Sequence, residues 1–131
     1  MLTIFSNEFI SIHHYPETAI LSIDWTGKQT EESVKDGCMR MLQIMQDLET
    51  YNILNDNLQV VGDWNIAAPW VGRVWFPLMV QAGMQKFAWV HSVSRVSRLS
   101  TQMSVSFTDL KRVPVKTFLD HESAILWLME S

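Results

Sequence analysis

The hydrophobic pattern changes period along this chain, and that change constrains the fold more than any other feature. Residues 19–25 alternate, with Ala19, Leu21, Ile23 and Trp25 set against Ser22 and Asp24, as in a half-buried strand. Residues 8–15 read as an earlier strand, and Tyr15-Pro16-Glu17-Thr18 supplies the turn of a hairpin that ends at Gly27. From Glu31 to Thr50 the period lengthens. Val34, Cys38, Met41, Leu42, Met45 and Leu48 fall on one helical stripe. Thr30 is placed to cap that helix, and Glu31 and Glu32 suit its positive end.

Further along, Ile53 and Leu54 form a short strand that the cluster Asn55-Asp56-Asn57 is expected to end. A helix over residues 66–82 follows, with a kink expected at Pro77, whose nitrogen cannot donate, and a stop at Gly83. KFAWVH, residues 86–91, is apolar enough for a strand covered on both faces. Val96, Leu99 and Met103 keep helical spacing within serine-rich residues 92–107, and Val113, Val115, Thr117 and Leu119 alternate. Asp120 then caps a terminal helix with Ala124, Ile125, Leu128 and Met129 facing inward. The order β-β-α-β-α-β-α-β-α implies an α/β fold: a mixed, mostly parallel five-stranded sheet with an N-terminal antiparallel hairpin and about four helices.

With 131 residues the chain has the length of a single domain, spanning 1–131. Hydrophobic residues make up 47% and charged residues 18%, a globular composition. Ten basic against fourteen acidic residues argue against nucleic-acid binding or broad attraction to anionic membranes. The run AAPWVGRVWFPLMVQAG is broken by Pro69, Arg73 and Pro77 and reads as a buried helix, not a membrane span. Cys38 is the sole cysteine, which suits a reducing, cytoplasmic setting, and the N-terminus lacks the pattern of a signal peptide.

The hairpin FISIHHYPETAILSIDWTG, the segment NILNDN, the segment WNIAAPWVGRVWFPLMVQAG, KFAWVHS and the closing VKTFLDHESAILWLME together resemble the SpoIIAA-like branch of the STAS domain family. The Sec14-type lipid-transfer fold is often grouped with it. The resemblance implies a non-enzymatic regulatory module that binds a partner protein. In the anti-sigma-factor antagonists of that family a phosphorylatable serine follows an aspartate where a central strand meets a helix. Here Asp56 is followed by Asn57 and no hydroxyl stands nearby, so the phosphoswitch does not carry over.

Candidate sites follow from the expected strand ends, where open α/β sheets bind ligands. Asn55, Asp56 and Asn57 would meet His91, Ser92 and Ser94 at one polar rim, or would simply terminate strands. Arg95 and Arg98 at a helix start would favour an anion, or be ordinary solvated arginines. Trp64, Trp70, Trp75, Phe76, Met79 and Met84 would line an apolar cavity for a small or lipid-like molecule, pack a core, or form a homodimer face. Acid–base chemistry would need Asp56 and His91 to meet. His13 and His14 are adjacent on a strand, so they face opposite sides and cannot chelate. No spacing points to a metal or another cofactor.

Overall fold

A computed structural model describes residues 1–130. Six strands form one sheet in the order β1 to β6. They are β1 (Leu2–Ser6), β2 (Ile10–Tyr15), β3 (Ile20–Lys28), β4 (Asn52–Val61), β5 (Lys86–Val90) and β6 (Val115–Phe118). The pairs β1/β2 and β2/β3 are antiparallel, whereas β3/β4, β4/β5 and β5/β6 are parallel. The sheet therefore has one strand more than the five expected, and its antiparallel part is larger by that strand. The extra strand β1 is an edge strand. Leu2 and Ile4 are exposed and only Phe5 reaches the core, so β1 carries no clean alternation for a sequence reading to find.

The helical segments follow the expected order. Helix α1 (Glu31–Leu48) opens on a reciprocal cap: the Ser33 amide donates to Thr30 Oγ1 at 3.0 Å, and the Thr30 amide donates to Ser33 Oγ at 2.8 Å. Its inner stripe buries Val34, Cys38, Met41 and Met45. The second segment joins α2 (Ala68–Trp70) to α3 (Phe76–Gln81) through a π turn, Val71–Trp75. In that turn the Phe76 amide donates to the Val71 carbonyl, five residues back. The register change puts Pro77 in the first turn of α3, where a missing N–H leaves no helical bond unmade. The defect expected at Pro77 is thus absorbed one turn earlier, as a widened turn. Helix α4 (Arg95–Ser106) and helix α5 (His121–Leu128) complete the chain. Met129, expected inside, is exposed just past the end of α5, and Leu119 is exposed just past β6.

The sheet separates two cores of unequal size. On one face α1, the α2–α3 segment and α4 pack over Ile12, Leu21, Ile23, Ile53, Phe87 and Trp89. At its centre the Phe76 ring meets Phe87 at 5.0 Å and Trp89 at 5.8 Å, both edge-on. On the other face α5 alone covers Ile20, Leu54, Ala88 and Val90. It packs on β4, β5 and β6. No helix among the described residues is long and apolar enough to cross a membrane.

Candidate functional site

Strand β4 does not stop at Leu54. It runs ten residues, with the polar triplet in its middle. Asn55 is 3% exposed, Asp56 9% and Asn57 4%, so the triplet is neither a strand terminator nor an open rim. Alternation along the strand sends Asn55 and Asn57 toward α1 and Asp56 toward α5. Asn55 and Asp56 are met by distant partners and Asn57 by Asn55, which is why a polar triplet can occupy a central strand.

On the α1 side, Trp25 Nε1 donates to Asn55 Oδ1 at 2.9 Å and Asn55 Nδ2 donates to Asn57 Oδ1 at 3.2 Å. These groups border a cavity of about 30 Å³ walled by Trp25, Trp64, Trp75 and Trp89. That is room for about two waters. Of the apolar candidates, Trp64, Trp75, Phe76, Met79 and Met84 are core residues, and Trp64 stacks on Trp89 with centroids 6.0 Å apart. Trp70 is half-buried, with Lys35 Nζ 5.7 Å from its ring. The tryptophans form no exposed platform. Burial pushes the Cys38 thiol up from its ordinary pKa.

On the α5 side, Asp56 stands opposite Asp24 of β3. His121 Nε2, at the start of α5, lies 2.5 Å from Asp56 Oδ2, and His13 Nε2, on β2, lies 3.4 Å from Asp24 Oδ2. Four titratable side chains from β2, β3, β4 and α5 thus form a row. Two of them, Asp24 and His121, border a groove of about 280 Å³ lined also by Tyr15, Thr18, Ser22 and Leu54, among others. The imidazole that meets Asp56 is therefore His121, not His91. No bond joins His91 to Asp56. His91 Nδ1 is buried without a partner among the described residues, and burial together with the nearby Arg98 charge lowers its pKa. His14, as the strand period requires, points the other way, its Nε2 3.1 Å from Thr50 Oγ1.

Burial, and then the neighbouring Asp56, hold the Asp24 carboxyl above the ordinary carboxylate range. Ionised Asp24 is therefore disfavoured in the fold. The cost is absent below the ordinary value of 3.8, enters as pH rises from there through the raised folded value, and persists above it. Asp24→Asn is expected to raise the unfolding midpoint at neutral pH and to flatten the loss of stability across that window. Thermal melts of both proteins from acid to neutral pH measure it. A lower midpoint for the variant at neutral pH would show that ionised Asp24 stabilises the fold.

The end of β5 meets a different part of β4 from the one expected. Ser92 Oγ donates to the Val60 carbonyl at 2.6 Å, and Ser97 Oγ donates to the Gly62 carbonyl. Ser94 caps α4, and Arg98 Nη1 donates to the carbonyls of Ser92 and Val93 at 3.1 and 2.9 Å. Arg98 is thus spent on the loop, and of the expected anion pair only Arg95 lies exposed.

The first half of helix α4 is also turned over relative to its hydrophobic pattern, while Met103 and Val105 in its second half pack against the core. Its buried face is Ser97, Ser100, Thr101 and Ser104. The Trp64 amide donates to Ser100 Oγ, Ser100 Oγ donates to Asn65 Oδ1, and Ser104 Oγ donates to the Ala68 carbonyl. Small side chains bring α4 close to the α2–α3 segment. Val96 and Leu99, expected inside, are 49% and 50% exposed, and Val93 just before the helix is exposed as well.

No family model and no curated protein matches the chain. Among solved structures it is similar to an uncharacterised protein of the DUF3478 family with a SpoIIAA-like fold, from Shewanella loihica PV-4. The two are 21% identical and superpose with a TM-score of 0.56 over 95% of this chain and 98% of that one. The fold is SpoIIAA-like. The middle of β4, in this SpoIIAA-like fold, is polar. Here it holds three buried amide and acid groups, and no hydroxyl.

Proposed function

We propose that this chain is a non-catalytic, STAS-type module that docks a partner protein through the exposed ridge of Val93, just before α4, and Val96 and Leu99 in its first turns. The inverted face of α4 carries this reading. Scattered apolar residues on a surface are ordinary, but a helix whose first half buries hydroxyl side chains and presents Val96 and Leu99 to water is not. Covering the exposed halves of Val96 and Leu99 would contribute about 1 kcal/mol each. The absence of a hydroxyl in the Asn55-Asp56-Asn57 triplet favours docking without a phosphoryl switch at that position. The setting is cytoplasmic, in keeping with a single buried thiol at Cys38.

The test is the double variant Val96→Glu/Leu99→Glu. Both sites face solvent, so the melting temperature should match that of the parent within the small range of surface substitutions. Capture of the specific protein retained by the parent chain should fall about tenfold or more, the effect of desolvating two charges in an apolar contact. Undiminished capture by a folded variant would reject the ridge. A dimeric mass by light scattering that reverts to a monomer in the variant would assign the ridge to a second copy of this chain instead.

A further inference from the structure

The groove beside α5 is independent of the α4 ridge and lies on the opposite face of the sheet. Its volume of about 280 Å³ is close to the lower bound of small-molecule pockets, about 300 Å³. It exists because α5 covers only the β4–β6 half of this face. Strand β3 supplies its floor through Ile20, Ser22 and Asp24, alternate residues on one side. The groove combines apolar walls, Ile20, Leu54 and Ile125, with a polar end, Asp24 and His121.

Two observations give this groove a ligand. The first is Ser22. It is 6% exposed, and its hydroxyl, which borders the groove, makes no hydrogen bond among the described residues. Ser22 is buried as a residue, yet its hydroxyl is not enclosed, so it is free to bond a molecule that enters the groove.

The second is the charge at the polar end. Asp24 faces His13 from β2, Asp56 from β4 and His121 from α5. The two imidazoles are the only basic groups bonded to either carboxylate among the described residues. Asp56 is already held, by His121 and by the Leu58 amide at 2.7 Å. The Asp24 side chain is still 43% exposed, toward the groove. Two carboxyls set side by side without lysine or arginine attract positive charge and repel anions. The apolar walls Ile20, Leu54 and Ile125 beside these carboxyls favour an organic cation over a bare ion.

We infer that the groove binds a small organic cation, a primary ammonium carried on a short apolar body. Its N–H groups would donate to Asp24 and to Ser22 Oγ, and its carbon chain would lie on Ile20, Leu54 and Ile125. The head would be recognised by charge-assisted hydrogen bonds, and the body by exclusion of water.

The probe is butylammonium chloride, titrated at neutral pH into the isotopically labelled full chain and followed by amide NMR shifts. Butanol and butyrate serve as neutral and anionic matches, and sodium chloride at equal ionic strength controls for screening. Saturable shifts centred on Ser22, Asp24 and His121 are expected with butylammonium alone. Asp24→Asn should weaken the apparent affinity about tenfold, the loss of one charge-assisted contact, and Ser22→Ala by a smaller factor. Removing the carboxylate repulsion should leave Asp24→Asn folded, and a melt recorded alongside separates lost binding from lost structure. The inference is overturned by any of three results: no saturation up to about 50 mM, a range that already admits very weak binding; equal shifts from butanol or sodium chloride; or an unchanged response in folded Asp24→Asn.

Discussion

Trp75→Ala should lower the unfolding free energy by about 3–5 kcal/mol, the largest loss expected from a single substitution in this chain. Trp75 is fully buried at the meeting point of α1, the π turn and the sheet. Its ring lies 5.2 Å from Phe76 and 5.7 Å from Phe87, and its Nε1 donates to the Cys38 carbonyl at 2.8 Å. Truncation removes the ring contacts, leaves that carbonyl of α1 without its side-chain donor, and extends the small cavity that Trp75 already borders. Rigid neighbours cannot collapse into such a space, so the cavity cost adds to the lost transfer energy. Domains of this size are stable by roughly 5–15 kcal/mol, so the variant should melt far below the parent or fail to fold. Trp70→Ala, at the half-buried end of the same segment, should cost well under half as much. Urea midpoints for the pair provide the measurement. Comparable losses at the two positions would contradict the burial difference.

Gly72→Ala should cost about 1–3 kcal/mol, although alanine is the better helix former by about 1 kcal/mol at an open site. The sign reverses because of what lies opposite. A Cβ at Gly72 would strike the Ser104 carbonyl of α4 and sit 2.9 Å from the Phe107 Cβ. The carbonyl is backbone and cannot swing aside, so α4 itself must shift. That shift would also displace the Val96–Leu99 ridge, and partner capture should weaken together with stability. An unchanged or higher melting temperature would mean that α4 is not packed as closely as its serine face allows.

Much of the architecture was legible because local chemistry and global fold agree along most of this chain. The Thr30 cap, the α1 stripe, the hairpin alternation and the apolar run of β5 each depend on neighbouring residues, and each was readable. What escaped depends on partners far away in sequence. Asn55 is tolerable inside β4 because Trp25, thirty residues earlier, supplies a donor. Asp56 is tolerable because His121, 65 residues later, reaches it. Without those partners a hydrophobic-pattern reading has to end the strand at Leu54. The face of α4 escaped for a related reason. Its serines bond Gly62, Trp64, Asn65 and Ala68, in the β4–α2 connection and the start of α2, so hydroxyls occupy the contact that apolar residues normally take. The candidate site was half legible. Asp56 was identified, but Asp24, His13 and Ser22 read as the ordinary outward side of a hairpin, and His121 read as the first residue of a helix.

The triplet in β4 also bears on how the chain avoids folding wrongly. Parallel strands buried on both faces usually carry near-continuous apolar residues, and such a strand can slide against its neighbours at little cost. A slide of one residue exchanges the two faces of a strand. In β4 it would swing Asp56 among four tryptophans and strand both asparagines beside a carboxylate, so Asn55 would lose Trp25 and Asp56 would lose His121 at once. The amide–acid–amide sequence therefore works as a key with teeth on both edges. It makes the misaligned sheet expensive even though the correctly aligned one gains little from these groups, and it selects one alignment for the central strand from which both faces of the molecule are built.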